Sequence, residues 1–567
     1  MPLLLSTIRA SIASLTGLAV PIAVLAQAPP DASVLRQQVE PILKSPLPGV
    51  FSLPAPAERE RSPGGGPQVM VKRFEVIGAT LLPADEIQSV LATFEGRKLT
   101  FAELENATTR LGQAFRDRGW VVRVTLPPQE VAGGVIKIEV VEAKLGAFEL
   151  GGEASPRVSG QRIKQQLQHS LDEGQALNSK ALDSAMLLVD DLPGINARSL
   201  LRAGKEEGLT DVFVDLKNQP AVVGSVIADN HGSRSTGRSR VLATMTWNSP
   251  MARGDALDLT AVKTSHSLFV RAGGSLPVAK PGTRLGLYAS QQDYSIGIAS
   301  ARFTGSSKKL ELQATGVFTR SLTRNVYWEL TGAREQLINS VDAGGLLLSD
   351  YGISTVGGEL RFNRFDKYLA GGVTAGSLNM TAGRPDLSGS PQTHLDSVAA
   401  SRSGDSFVKA TLNLSRSQQL DKHWSFALSA QGQWANRNMV SGQWMYLGGA
   451  QGVRAYPSSE AGGAQGLIGN LTVRYQWRPQ WRFTAFVDAG RVRQNVDNNL
   501  GSASASHNLM TLKGAGAGVT WITPVGASLN LMWAHRIGDN PNPTPDGKDQ
   551  DGSLINNRIW VQASYPF

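Results

Sequence analysis

Two short stretches gather the residues with specific chemistry to offer. Gly448-Gly449-Ala450-Gln451-Gly452-Val453-Arg454-Ala455-Tyr456-Pro457 places one arginine and one tyrosine in a glycine-rich segment. Phe486-Val487-Asp488-Ala489-Gly490-Arg491 places an aspartate among apolar and small residues. An arginine fork can give a carboxylate two charge-assisted hydrogen bonds. Taken singly, Arg454 also reads as a cation on a surface loop and Asp488 as an acid in a turn. Groups suited to bond-making are scarce. Cysteine is absent, which excludes disulfides, thiolate zinc sites and cysteine nucleophiles. The 7 histidines form no cluster: His169 lies on a polar helix face, and His231, His266 and His535 are scattered beyond residue 220. No G-x-S-x-G elbow, H-E-x-x-H helix or Walker A loop occurs. Asp190-Asp191 stands where a helix ends before Pro193-Gly194, and it reads as a solvated turn rather than an acid/base pair. The sequence predicts neither an enzyme nor a metal or cofactor site.

The region that must position both stretches reads as strands. From about Pro220 helical spacing gives way to alternation. Leu310, Leu312, Ala314, Gly316 and Phe318 share one face, and Glu311, Gln313, Thr315 and Val317 the other. Trp424, Phe426, Leu428, Ala430 and Trp434 repeat the pattern, as do Leu467, Leu471, Val473, Tyr475 and Trp477. Alternation alone fits any half-buried antiparallel sheet. Three features favour a membrane barrel over a soluble sandwich. The segments continue across residues 220–567 with no helix expected between them. Their apolar faces often begin or end in Trp, Tyr or Phe, as aromatic girdles require. The chain ends on an alternating strand carrying Ile559, Val561, Ala563, Tyr565 and Phe567, and a terminal aromatic of this kind is the usual form of an outer-membrane assembly signal. At roughly 22 residues per strand and connection, the region holds about sixteen strands, an even number as bacterial barrels need. Phe486 and Asp488 then lie on the same face of a strand.

The N-terminal third is organised differently. Residues 1–26 carry Arg9, an apolar stretch and Val24-Leu25-Ala26, and read as a cleaved secretory signal; the alternative, a membrane anchor, is disfavoured by Pro21 and a short apolar run. Residues 27–44 contain a helix with Val34, Leu35, Val39 and Ile42 roughly on one stripe. Residues 45–68, rich in Pro and Gly, form a linker. Residues 69–143 run strand, helix, helix, strand, strand, with a capping box at Thr100 and Glu103. Residues 144–219 repeat that order, an internal repeat of architecture.

Charged residues are 18%, below the ~25% of soluble domains, and glycine is high at 60 of 567. The formal charge of +9 is spread without a dense Lys/Arg block, so no nucleic-acid partner is expected.

The whole order, with the two motifs, resembles the two-partner secretion transporters, the TpsB class or haemolysin secretion/activation family, within the outer-membrane barrel superfamily that includes BamA. The stretch around Arg454 is similar to that superfamily's VRGY/F loop signature, and the stretch around Asp488 to its F-x-D-x-G wall signature. The resemblance implies a transmembrane antiparallel β-barrel of about sixteen strands, preceded by two periplasmic α+β POTRA-like domains and an N-terminal plug helix. It implies that Arg454 bonds Asp488, with Tyr456, Phe486 and Gly490 completing a latch that pins the loop inside the pore. The family pattern has Gly where this chain has Ala455, so either the tip tolerates Ala or Arg454 sits differently. The resemblance further implies a large unfolded TpsA-type exoprotein client, of adhesin or haemolysin type, secreted across the outer membrane. It implies contact with outer-membrane lipid and lipopolysaccharide, help from the barrel-assembly machinery during biogenesis, and a monomer. An extended client can add a strand to a POTRA sheet edge, and Leu209–Leu216 with the helix around Leu182–Val189 is the expected docking surface. A BamA-type assembly factor is the alternative, although such factors usually carry more POTRA units. A passive porin would leave the periplasmic units and the motif pair unexplained.

Overall fold

The computed structural model describes Ala32, Val34 and residues 68–567, apart from 132, 154–156, 207, 279, 299–300, 343–344 and 554. The expected signal 1–26, the plug-helix residues Leu35, Val39 and Ile42 and the linker 45–68 but for Gln68, which opens a strand, lie outside the described residues.

Local signals set the first periplasmic unit. Thr100 Oγ1 accepts from the Glu103 amide while the Glu103 carboxylate accepts from the Thr100 amide, starting the helix Phe101–Arg118. Gly119 ends it at φ 94°, a left-handed conformation that glycine adopts without a Cβ penalty. Leu104, Leu111 and Phe115 bury one stripe of this helix. The stripe packs with Ile136, Ile138 and Val140 from strand Val135–Glu142. That strand is the centre of its sheet, parallel to Arg73–Ile77 and antiparallel to Val122–Thr125. A small extra ladder pairs Gln68–Val71 with Arg97–Thr100. Four-residue strands show no usable period, so the sequence pattern does not announce them.

The second unit repeats this topology. Leu209–Asn218 is central, parallel to Lys144–Gly152 and antiparallel to Ile195–Ala203. Asn178 Oδ1 caps the helix Ser179–Asp190 by accepting from Lys180 N and Ala181 N. Leu182, Ala185, Met186 and Val189 of that helix are in the core. The expected docking surface is therefore corrected. The strand around Leu209–Leu216 already has a neighbour on each side, and the apolar face of the helix is covered. Among the described residues, the outer strands of the sheet are Lys144–Gly152, whose start is tied by backbone bonds to residues 174–177, and Ile195–Ala203, a free edge with Leu200 and Leu201 exposed.

Sixteen antiparallel strands, from Val222–Asp229 to Asn557–Pro566, close into a barrel. The last strand returns to the first, pairing Tyr565 with Val226, and Phe567 and Gly224 exchange two backbone hydrogen bonds of 3.0 Å. Leu310, Leu312, Phe318, Trp424, Trp477 and Trp533 point outward and exposed, while Glu311, Asn470 and Asp488 turn inward. Leu346–Asp366 has 21 residues, about twice what a tilted strand needs to cross a bilayer. One expectation fails: the helix Gln392–Ser401 interrupts the run of strands, in a connection remote from the periplasmic units. Only Val398 of it is buried, so it carries almost no apolar stripe to betray it.

Candidate functional site

The site is a loop folded into the barrel. Residues 436–464 join the eleventh and twelfth barrel strands, Trp424–Ala435 and Gln465–Arg478. A two-residue ladder, Met445–Tyr446 with Gly462–Gly463, forms its neck. Beyond the neck Val453 N donates to Leu447 O at 2.7 Å and Tyr456 N to Val453 O at 3.1 Å, so the tip closes on itself.

The tip meets the thirteenth strand, Trp481–Arg493, whose inward members include Phe486, Asp488 and Gly490. Arg454 Nε donates to Asp488 Oδ2 at 2.9 Å, Arg454 Nη2 to Oδ1 at 2.6 Å, and the Arg454 amide to Oδ2 at 3.0 Å. Asn470 Nδ2 supplies a fourth donor at 2.8 Å. The Asp488 side chain is 0% exposed, and these donors replace the water it has lost. The guanidinium lies 3.5 Å over the Phe486 ring centroid, a cation–π contact. Trp560 Nε1, on the last strand, donates to Arg454 O at 2.7 Å.

Tyr456 is fully buried with Leu447, Val453, Ala461, Ile468 and Phe486. The Arg536 guanidinium sits 4.4 Å from its ring centroid. Burial pushes the Tyr456 phenol up to about 12. Ala455 is not among the positive-φ residues of the described chain; Ser459 and Ala461 are, at 66° and 51°. Backbone strain thus sits on the returning limb of the loop and not beside Arg454.

Glycines on the wall make room for the tip. A Cβ on Gly490 would come within 3.0 Å of Leu447 Cδ2, one on Gly514 within 2.6 Å of Ala455 Cβ, and one on Gly516 within 2.4 Å of the Phe486 ring. Sequence reasoning missed Gly514 and Gly516; the alternation Gly514-Ala515-Gly516-Ala517-Gly518 was the available signal. It also missed the second anchor. Glu460, on the loop, is fully buried and accepts from Asn540 Nδ2 at 2.8 Å and Gln550 N at 2.9 Å. Both donors belong to the connection before the last strand, where buried Asp549 accepts from Arg536 Nη2 at 2.7 Å and Arg558 Nη2 at 3.0 Å.

The loop leaves a lumen cavity of about 1160 Å³, lined by Glu311, Glu329, Arg361 and Gly448 among others. Val34 also lines it. Ala32 N donates to Asn339 Oδ1 at 3.3 Å, inside an apolar cluster with Tyr294, Phe303, Tyr351 and Phe407. Those two described residues of the N-terminal segment therefore lie within the barrel. Tyr565 and Phe567 stand apart from the site, exposed at the closing seam.

Comparison with known proteins decides what barrel this is. Residues 208–521 match the family described as haemolysin secretion/activation protein ShlB/FhaC/HecB, and residues 69–143 match the ShlB-type POTRA domain. The chain belongs to this family. It is 22% identical over 488 residues to the heme/hemopexin transporter protein HuxB of Haemophilus influenzae, covering 80% of this chain and 81% of that one. It is 25% identical over 524 residues to the outer membrane transporter CdiB of Escherichia coli, covering 87% and 84%. The solved structure of CdiB from Escherichia coli superposes with a TM-score of 0.69 at 21% identity, covering 94% of this chain and 98% of that one, a likeness of fold. Membership makes the chain an outer-membrane two-partner secretion transporter, with POTRA units in the periplasm and an exoprotein as cargo. The family is one of transporters rather than enzymes. The assembly-factor alternative drops out, because the match is to the secretion family.

Proposed function

We propose that this chain exports one large, unfolded exoprotein of adhesin or haemolysin type, and that the folded-in loop is its resting closure. A sixteen-strand barrel is wide enough for an aqueous channel and would otherwise leak. The observation that carries the reading is the Arg454–Asp488 pair, which ties a loop from outside the wall to a buried carboxylate on the wall. Tyr456, Phe486 and Gly490 complete that latch. The N-terminal segment around Val34 is the second plug, and it leaves during transport. The client docks in the periplasm by adding an extended strand to the free edge Ile195–Ala203. Client folding outside the cell biases diffusion outward; a client variant unable to fold at the surface yet secreted at full rate would refute that driving force. The outward tryptophans meet outer-membrane lipid and lipopolysaccharide, Tyr565 and Phe567 are read by the barrel-assembly machinery, and the transporter works as a monomer.

The test is secretion on co-expression with the large exported protein encoded beside this chain. Client reaches the medium with the intact chain and not after deletion of residues 69–219. Arg454→Ala lowers secretion while the barrel still assembles. Client in the medium without the chain, or with the deletion, overturns the proposal.

A further inference from the structure

Asp191, expected to be a solvated turn, is instead an ion-pair partner. Arg320 Nε donates to Asp191 Oδ2 at 2.8 Å, and Arg320 Nη2 to Oδ1 at 2.9 Å. Arg320 ends the barrel strand Ala301–Arg320, and its side chain is 3% exposed against 29% for Asp191. Arg320 is itself held: Nη1 donates to Asn325 Oδ1 at 3.1 Å, and Asn325 Nδ2 to Asn363 Oδ1 at 2.7 Å. A bidentate arginine fork fixes the angle of its partner as well as its distance. The pair therefore reaches from the C-terminal cap of the second POTRA unit's helix into a polar network at the barrel rim.

Three further contacts, at two more barrel turns, fix the remaining freedom of that unit. Arg162 Nη2 donates to Val278 O at 2.7 Å. Ser249 Oγ donates to Pro193 O, and Ser159 N to Ala252 O at 3.1 Å. Ser249 and Ala252 hold positive φ of 50° and 57° in a turn tied by Asp255, which is 1% exposed. Non-glycine residues in that region are strained and persist where surrounding structure over-determines them. The unit thus rests on three separate barrel turns, around 252, 278 and 320.

What this dock positions is the free edge. Strand Ile195–Ala203 starts directly after Pro193-Gly194, the point where the unit touches the barrel. We propose that Asp191 and Arg320 are positioning residues for export. They hold the edge strand so that it begins at the pore mouth, and a client strand added to it runs along it to the opening. This rests on client docking at that edge. Without the pair the unit swings, the client is still captured, and its passage into the pore is slowed.

The absence of cysteine allows spin labels at Lys164→Cys on the second unit and Lys422→Cys on a periplasmic barrel turn, in the full chain in lipid nanodiscs. The distance distribution is narrow in the parent and broadens in Asp191→Ala, and the conservative Asp191→Glu stays close to the parent. With client, Asp191→Ala keeps capture by the full chain within about twofold and loses about tenfold in secretion. Heat-modifiable migration in gels shows that the barrel is folded in each variant. An unchanged distribution in Asp191→Ala overturns the proposal, as does a broadened one with undiminished secretion. If the parent captures no client, the docking reading fails, and the distance distribution alone then decides the joint.

Discussion

The folded-in loop is held at two places by opposite chemistry. At its tip a cation on the loop meets an acid on the wall, and the Asp488 oxygens accept from Arg454 three times and from Asn470 once. At its shoulder an acid on the loop, Glu460, meets neutral donors on another loop. Burial, and then repulsion from Asp549 and Asp551, raises its proton affinity. The tip is a complete ion pair built into a rigid strand. The shoulder is a buried carboxylate without a cationic partner among these contacts. The difference gives an order of release, shoulder before tip, because loss of one proton from Glu460 loosens the shoulder.

Breaking the tip from one side gives the largest effect. Asp488→Ala leaves the Arg454 guanidinium, only 11% exposed, without its carboxylate. Removing one partner of a buried pair costs roughly 3–5 kcal/mol. The denaturation midpoint of the purified barrel in detergent falls accordingly, and single-channel recordings in planar bilayers show larger and more frequent openings. Unchanged conductance and midpoint would mean that the loop is held by packing alone.

The packing around the tip gives the next effect and isolates it from charge. Gly514→Ala forces two Cβ atoms within 2.6 Å, against Ala455. Overpacking of this kind costs about 1–3 kcal/mol. Ala455→Gly, which removes the facing Cβ, relieves it, so the double variant is close to the parent in thermal midpoint. If Ala455→Gly fails to rescue Gly514→Ala, the two positions are not complementary.

Much of this is legible in the sequence, and the reasons are physical. The period of two survives in Leu310–Phe318 because one face meets lipid. The capping box at Thr100 and the stop at Gly119 are local signals and read directly. The motif pair puts Arg454 on a loop and Asp488 on a strand that tertiary folding joins. What escaped was what depends on company. The strand Leu209–Asn218 looks like a docking edge until its two neighbours are known. Asp191 looks solvated until Arg320 is brought across from residue 320. Glu460 carries no local signal in the sequence, since the connection that buries it lies some 80 residues further on.

Glu460 gives the smallest effect, and its sign is fixed. Burial first, then repulsion from Asp549 and Asp551, raises its folded value from 4.5 to about 7, against the bonds from Asn540 and Gln550 that lower it. A carboxyl raised on folding binds its proton more tightly in the folded state. The closed shoulder is therefore favoured below about 4.5 and loses that advantage as pH rises through about 7. Between pH 6 and 8 the loss is on the order of 1 kcal/mol. Limited proteolysis of the 537–556 connection in the full chain should quicken across that interval, and Glu460→Gln, neutral throughout, should flatten the dependence. Asp488→Ala should leave the slope intact while raising cleavage at every pH, because the tip and shoulder are separate anchors. A slope abolished by Asp488→Ala instead would mean that the loop is held as one unit, and that the shoulder has no release of its own.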